Sequence, residues 1–109
     1  MRHNARKDST HDEIRDALKA DGWNVTETHK CGGGLPDMFA TRFPIVIAVE
    51  AKSEDGEMTP AEIEWRKGWD GPYIMPRSGE QAVAMAAAYR LSKSAMKLFS
   101  ALIAVNQHD

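Results

Sequence analysis

The sequence predicts an α/β fold in which helices flank a central mixed β-sheet. The first observation is the order of periodic segments, because a helical pattern precedes three strand-like segments and is followed by a helix, a strand and further helices. The second is the run Ile45 to Val49, which is apolar on both faces, as in a central strand covered by helices. At 109 residues, the chain is long enough for one core but not two. We therefore expect a single domain over residues 1–109.

The N-terminal part predicts a helix followed by an edge strand. The helix is expected to start at residues 8–10, because Thr10 and Glu13 have the spacing of a capping box. Gly22 is expected to end it. Its predicted apolar face consists of Ile14, Ala17, Leu18 and Ala20. The strand spans residues 23–28, and its polar residues are typical of a sheet edge.

The central feature is a predicted hairpin of strands 37–41 and 46–50. If its midpoint lies between Phe43 and Pro44, facing residue numbers sum to 87, and Asp37 faces Glu50. Facing residues have Cβ atoms roughly 4.5–5.5 Å apart. Side-chain alternation places Lys52 on the same face. Proline is unfavourable at the second central position of a type I turn, so a longer loop with a shifted register is the alternative.

Two facing carboxylates impose a chemical requirement. At about 5 Å and an effective dielectric constant near 20, unscreened Asp37 and Glu50 would repel by roughly 3 kcal/mol. One lysine does not fully offset that repulsion. Either one acid is protonated, or the pair binds a hard cation such as Mg²⁺, which often uses only one or two protein carboxylates. The competing interpretation is that Glu50 and Lys52 only mark the solvent end of a buried strand.

The remaining chain predicts a helix, a strand and two helices. The helix starts near Thr59, has Pro60 at its first position and runs to about residue 67. A strand follows at 73–75, and helices follow at 81–89 and 91–105. The last helix has an apolar stripe formed by Met96, Phe99, Leu102 and Ile103. Because a core of this size leaves such a stripe uncovered, we expect a homodimer.

Two motifs lie at the centre of the chain: Pro36-Asp37, and Glu50-x-Lys52 after the apolar strand. Together they resemble the signature of the PD-(D/E)xK nucleases. The resemblance extends to the stand-alone VRR-NUC domains of phages and bacteria, which are similar to Holliday-junction resolvases, and it covers residues 8–85. The further motifs that carry it are His11-x-Glu13, the glycines Gly32, Gly33 and Gly34, and Thr59-Pro60-Ala61.

The resemblance implies a restriction-endonuclease-like core that cuts DNA phosphodiesters with Mg²⁺, or with Mn²⁺ as substitute, often on branched or flapped DNA. Residues 86–109 would then be a helical extension. Carried over by position, Asp37 and Glu50 would bind metal and Lys52 would be the catalytic lysine. Glu13 would be the acid from the first helix. The Ala51 carbonyl is a further candidate metal ligand, and whether one metal or two would bind is left open.

The expected substrate contacts are Gly33, Gly34, His11 and Glu62. Relatives commonly have Gln at the position of Glu62, so its role is open. A histidine at a helix start is otherwise typically a surface residue. Trp65 and Trp69, four residues apart, are expected to be core or dimer contacts in preference to partners that stack on bases.

Composition limits the other possibilities. The single cysteine excludes an intrachain disulfide and argues against a structural zinc site. No signal peptide and no run long enough to span a membrane are present, so a cytoplasmic protein is expected. The net charge of −2 is low for a nucleic-acid binder. Two alternatives remain. One is a catalytically silent nucleic-acid-binding or assembly module with this fold, because function resides in the site and not in the fold. The other is a helical interaction protein, which only the apolar stripe of the last helix favours.

Overall fold

The protein is a four-stranded mixed sheet with helices on its two faces, which confirms the predicted α/β class. The computed structural model describes the backbone of residues 2–28 and 31–107, and the side chains of 9–28, 31–91, 97, 98 and 100–104. The elements are α1 (Arg2–Ala20), β1 (Asn24–Glu27), β2 (Met38–Arg42), β3 (Ile45–Val49), α2 (Pro60–Lys67), β4 (Tyr73–Ile74) and α3 (Gly79–Gln107).

The strands follow the order β1-β2-β3-β4, with the first three antiparallel and β4 parallel to β3. β1 is therefore an edge strand, as predicted. β4 forms the other edge, where the Tyr89 hydroxyl lies 3.4 Å from the Tyr73 nitrogen and 3.3 Å from the Tyr73 carbonyl oxygen. These two backbone groups point away from β3. On the side that faces β3, the nitrogens of Ala48 and Glu50 donate to the carbonyl oxygens of Pro72 and Ile74, which flank Tyr73. One side chain thus covers the outer edge of β4 at Tyr73.

The core lies between one face of the sheet and the helices α1 and α3. Because successive strand residues point to opposite faces, β2 and β3 each contribute alternate side chains to it. Small residues of α3 let this helix approach the sheet closely. The fully buried residues of this layer are Ile14, Leu18, Met38, Ala40, Ile47, Val49, Ala82 and Ala86. Asp37, Phe39 and the facing residues of β3 consequently lie on the opposite face, on the side of α2.

The hairpin has the predicted register. Met38 faces Val49 and Arg42 faces Ile45, so facing numbers sum to 87. The peptide bond between Phe43 and Pro44 is cis. Arg42 ends β2 and Ile45 starts β3, so only residues 43 and 44 lie between the two strands. The alternative of a longer loop is therefore wrong.

Three predictions about the helices are wrong. The first helix begins at Arg2, so Thr10 lies inside it and does not cap it. The capping-box spacing of Thr10 and Glu13 does not mark a helix start here. Residues 2–9 contain no glycine or proline, so the helix continues through them. Ala20 is exposed and does not belong to the apolar face. The two predicted C-terminal helices are one helix of 29 residues, since the residues around Arg90 are compatible with a continuous helix.

Smaller differences concern the strands. β1 lacks Trp23, which is 3 % exposed and packs in the core just before the strand. β4 lacks Met75. Val46 of β3 is 42 % exposed, so helices do not cover both faces of this strand along its whole length. No described helix is long and apolar enough to cross a membrane.

Gly34 lies where the loop before β2 contacts the start of α2. Its φ of +79° is a left-handed conformation, and a Cβ at this position would overlap the Ala61 carbonyl. Gly33 has a similar φ of +69°, but the space around it is open. Backbone conformation therefore favours glycine at both positions, and packing requires it only at Gly34.

We predict that Gly34→Ala destabilises the protein more than Gly33→Ala does. Both variants incur the cost of a left-handed alanine, roughly 1–2 kcal/mol. Gly34→Ala should lose roughly 1–3 kcal/mol more, because the loop must move away from α2. Urea unfolding of the two variants would measure this difference. Equal midpoints would show that the contact with Ala61 does not constrain the loop.

Candidate active site

Asp37, Glu50 and Lys52 meet on one face of the sheet, just beyond the ends of β2 and β3. Glu50 is 1 % exposed and Lys52 5 % exposed, while Asp37 is half-buried. The Glu50 nitrogen donates to the Ile74 carbonyl at 3.0 Å and the Lys52 nitrogen to the Pro76 carbonyl at 3.1 Å, so the chain stays extended beyond Val49. Between them, the Ala51 nitrogen donates to Asp37 Oδ2 at 2.8 Å. This backbone pairing brings the two predicted carboxylates together.

Glu62 belongs to the same cluster. Its Oε1 accepts hydrogen bonds from Lys52 Nζ at 2.8 Å and from the Thr59 nitrogen at 2.8 Å. The Glu62 nitrogen in turn donates to Thr59 Oγ1 at 3.2 Å, which completes a capping box at the start of α2. Glu50 Oε2 is farther from Lys52 Nζ, at 3.9 Å. The closest carboxylate to the lysine is therefore that of Glu62, and the Thr-x-x-Glu spacing is the sequence signal that indicates its orientation.

The electrostatic environments of the two glutamates differ. Burial, the neighbouring Asp37 carboxyl and Glu62 together raise the pKa of Glu50 to about 9. Burial also acts to raise the pKa of Glu62, but hydrogen bonds from Lys52 and Thr59 outweigh it and lower that pKa. Glu50 is therefore protonated at neutral pH in the metal-free protein, whereas Glu62 is ionised.

The cluster has the donor chemistry of a hard-cation site. Asp37 and Glu50 supply carboxylate oxygens, and the buried Glu50 Oε1 has no hydrogen-bond partner within the described part of the chain. Among the described residues, no group of three or more His, Cys, Asp or Glu side chains could hold a metal ion. Any ion here would therefore need backbone, water or substrate oxygens in addition to the two carboxylates. That pattern is typical of Mg²⁺.

The structure places Glu13 and His11 in other contacts. Glu13 Oε2 accepts a hydrogen bond of 2.6 Å from the Gly79 nitrogen, so this carboxylate caps α3. Within the described residues it makes no hydrogen bond or ion pair with Asp37, Glu50 or Lys52. His11 is buried, contrary to the expected surface position, and its Nε2 lies 2.7 Å from an oxygen of Glu27.

The pair of His11 and Glu27 connects α1 to the edge strand β1. The hydrogen bond from His11 lowers the pKa of Glu27 against an opposing effect of burial, and Arg15 lowers it further. The predicted substrate-contact role of His11 has no counterpart in these contacts. The two predicted glycine contacts differ from each other: Gly34 packs against α2, whereas the backbone at Gly33 is open to an approaching molecule.

Arg77 fixes the loop that follows Lys52. Its guanidinium donates to the carbonyl oxygens of Ser53 and Glu54. Arg77 also borders a cavity of about 210 Å³ beside this loop. No sequence signal marks Arg77, because its partners lie more than twenty positions earlier and are backbone atoms that belong to no motif.

An aromatic cluster formed by Phe39, Trp65 and Trp69 lies on the same sheet face. The two indole rings are stacked, with centroids 5.4 Å apart and planes inclined by 23°. Phe39 meets both edge-on, at 6.3 Å from Trp65 and 5.7 Å from Trp69. The two tryptophans do not share a helix, because α2 ends at Lys67 and Trp69 lies beyond it.

Comparison with solved structures supports the architecture. A chain described as a VRR_NUC domain matches with a TM-score of 0.64 and 16 % sequence identity, over 77 % of this chain and 97 % of that one. This chain has the VRR_NUC fold. The predicted restriction-endonuclease-like core is thereby confirmed as a fold. Neither protein-family models nor curated protein sequences give a match.

We predict that Glu50→Gln stabilises the metal-free protein. Between pH 4.5 and about 9, Glu50 is ionised in the unfolded chain and protonated in the folded one. Folding then takes up a proton, so the free energy of unfolding falls as pH rises. Glutamine removes this loss, and the gain should exceed about 1 kcal/mol at pH 8, equivalent to roughly 4–8 °C in Tm. It should be smaller at pH 5.

Thermal unfolding at both pH values, in the presence of a chelator, would measure the effect. Glu64→Gln is the matched control, because Glu64 is an exposed acid on α2 whose ion pair with Lys67 contributes little. Excess Mg²⁺ should raise the Tm of the wild type and not that of Glu50→Gln. A Glu50→Gln variant that is less stable at both pH values would contradict the assigned protonation state.

Proposed function

We propose that this protein is a metal-dependent endonuclease that hydrolyses DNA phosphodiester bonds, with a preference for branched or flapped DNA. The observation that carries the proposal is the convergence of Asp37, Glu50 and the buried Lys52 on one sheet face. The VRR_NUC fold supports it, because 77 % of this chain matches a chain described as a VRR_NUC domain with a TM-score of 0.64. The requirement for a divalent cation follows from the hard oxygen donors.

The proposed metal ligands are Asp37, Glu50 and the Ala51 carbonyl. The Ala51 nitrogen points towards Asp37, and in an extended strand the carbonyl of the same residue points to the same side. A bound Mg²⁺ or Mn²⁺ would polarise the scissile phosphate and lower the pKa of a bound water. Glu50 would release its proton when the ion binds, because ligation favours the carboxylate.

Lys52 would stabilise the negative charge that develops on the phosphate. Its ammonium lies beside the carboxylates but has its shortest bond to Glu62, so it needs no place among the metal ligands. A preorganised cation of this kind is most effective where water is largely excluded, and Lys52 is 5 % exposed. Glu62 would hold the ammonium in position through the capping box of α2.

DNA would approach over the α2 side of the sheet. The net charge of −2 does not favour binding, so local cations matter more than the total. Arg66 and Lys67 are exposed on α2. The open backbone at Gly33 lies in the loop that leads into Asp37 and could contact the sugar-phosphate chain.

We predict that Lys52→Ala loses cleavage but keeps metal binding. Removal of one preorganised charge in the transition state should lower the cleavage rate by on the order of a hundredfold or more. Mg²⁺ should still raise the Tm of this variant, because its metal ligands are intact. Single-turnover cleavage of single-stranded, duplex, flapped and four-way DNA, with Mg²⁺, Mn²⁺ or a chelator, would measure the rates.

Two variants serve as controls. Asp37→Asn should lose both cleavage and the metal-induced rise in Tm, and Lys52→Arg should restore little activity, since a planar guanidinium replaces a compact ammonium poorly. If wild type and Lys52→Ala cleave all four DNA forms at equal rates, Lys52 has no catalytic role. If the wild type binds DNA but cleaves none of the forms, the protein is a silent binding module.

We also propose that the protein forms a homodimer through the C-terminal part of α3. Leu91, Leu98 and Leu102 are 71 %, 63 % and 56 % exposed, and Ile103 is 41 % exposed. The three leucines lie within one narrow stripe at helical spacing. The predicted stripe residues Met96 and Phe99 lie outside the side chains that the structure describes. An exposed apolar stripe on a helix of 29 residues is typical of an interface.

We predict that Leu98→Lys combined with Leu102→Lys yields a monomer where the wild type is a dimer. Two buried charges without partners would prevent apolar association. Light scattering at tens of micromolar would measure the molar mass, because an interface of standard size should be occupied there. Ser100→Lys, on the opposite side of the helix, is the matched control and should remain dimeric. A monomeric wild type would refute the proposal.

A further inference from the structure

The aromatic cluster of Phe39, Trp65 and Trp69 adjoins the proposed cleavage site. Phe39 lies two positions after Asp37, which directly precedes β2. Phe39 contacts Trp65 of α2, and the Asp37 carboxyl lies beside Glu50, so both side chains are on the α2 side of the sheet. Two residues of a strand span roughly 7 Å. This spacing is about the length of one extended nucleotide, so a nucleotide next to the scissile phosphate would meet the rings.

The cluster is a surface feature, unlike the core tryptophan of this chain. Trp23 is 3 % exposed, whereas Phe39, Trp65 and Trp69 are all half-buried, and α2 has no fully buried residue. The rings form an apolar area that the fold covers only in part. Val46, which is 42 % exposed, continues this area along β3 on the same face.

The polar group of Trp69 is already satisfied within the protein. Its Nε1 donates to the Pro72 carbonyl oxygen at 2.9 Å, which fixes the ring. A ligand would therefore contact the ring surfaces. The Trp69 indole N–H is already used within the protein, so it does not form a hydrogen bond to the edge of a base. A site of this kind favours stacking that tolerates any base.

Two cations beside the cluster are placed to contact phosphates. Arg66 and Lys67, both exposed, lie in the chain between the two tryptophans. Lys67 Nζ lies 3.3 Å from Glu64 in an exposed ion pair, which contributes little and leaves the ammonium accessible to a phosphate. The Arg66 guanidinium sits over the Tyr73 ring, 4.6 Å from its centroid, which keeps this cation close to β4. Aromatic rings flanked by cations are the composition of surfaces that bind single strands, where rings stack on bases and cations contact phosphates.

We propose that Phe39, Trp65 and Trp69 form a stacking site for an unpaired base adjacent to the scissile phosphate. Bases inside a duplex have both faces covered by their neighbours, so only a single-stranded nucleotide can occupy the site. The substrate class is therefore DNA with an unpaired nucleotide next to the cut, such as a flap or a single strand. This inference rests on the proposed nuclease function for the position of the cut, but its test is a binding measurement.

Binding is measured with the full chain in a chelator, so that cleavage is absent. The probes are a single strand, a flapped duplex and a blunt duplex, with 2-aminopurine beside the branch point of the flap. Trp65→Leu and Trp69→Leu keep an apolar side chain but lose the aromatic ring. Each should weaken binding of the single strand and the flap by roughly 5- to 100-fold, with blunt-duplex binding changed less than about twofold.

Conservative variants separate stacking from folding. Trp65→Phe and Trp69→Phe should retain most of the affinity, and Ile63→Ala, which shortens an exposed side chain of the same helix, should retain all of it. The flap should quench tryptophan fluorescence in the wild type. Quenching should disappear when both tryptophans are phenylalanine, because the remaining Trp23 is buried. This readout does not require either leucine variant to fold.

Five outcomes decide the inference and the nuclease proposal on which it rests. Selective loss of flap and single-strand affinity together with ring-dependent quenching supports it. Unchanged flap affinity in both leucine variants overturns it, as does an equal loss for all three probes. A change of oligomeric state without a change in DNA affinity also overturns it and assigns the rings to a second copy. A wild type that binds and quenches but never cleaves refutes the nuclease proposal and leaves the stacking site standing.

Discussion

The site depends on the burial of Glu50 and Lys52 at the end of a central strand. A carboxyl that is 1 % exposed beside another acid stays protonated unless a cation compensates its charge. The sheet holds it there through backbone bonds to β4 on one side and through the contact of Ala51 with Asp37 on the other. The fold thus buries an acid whose ionisation is unfavourable. A divalent ion would compensate the charge of the ionised carboxylate, and this compensation would contribute to the free energy of ion binding.

Glu62 links this acid pair to the rest of the α2 side. It caps its own helix, holds the lysine and lies beside the turn where Gly34 meets Ala61. The loop before β2, the start of α2 and the end of β3 therefore form one packed unit. Because α2 itself has no buried residue, this unit is held mainly by polar contacts and the aromatic cluster.

The parts that the sequence predicts well are those set by short-range rules. Strand alternation gives the hairpin register, because a shift by one residue would move every side chain to the other face. That register brings Asp37, just before β2, beside Glu50, just after β3. Thr59 and Pro60 mark the start of α2 by local capping. The start of α1 is not predictable in this way, because the capping-box spacing of Thr10 and Glu13 also occurs inside helices.

The parts that could not be predicted depend on partners far away in the chain. Glu13 caps α3 across 66 positions, and His11 bonds to Glu27 across the gap between α1 and β1. Neither spacing is visible in a motif, so only the resemblance places Glu13 and His11 at the site. The aromatic cluster likewise joins a strand residue, a helix residue and a residue beyond the helix, which no single periodicity describes.

The Tyr89 hydroxyl over the edge of β4 has a consequence for how copies of this protein can associate. Free N–H and C=O groups on an edge strand are a template on which another chain can add a strand, with aggregation as one result. At Tyr73 both groups face a hydroxyl of the protein's own helix. Sheet extension across β4 is thereby discouraged at this position, so a strand added to this sheet would have to pair with β1, the other edge.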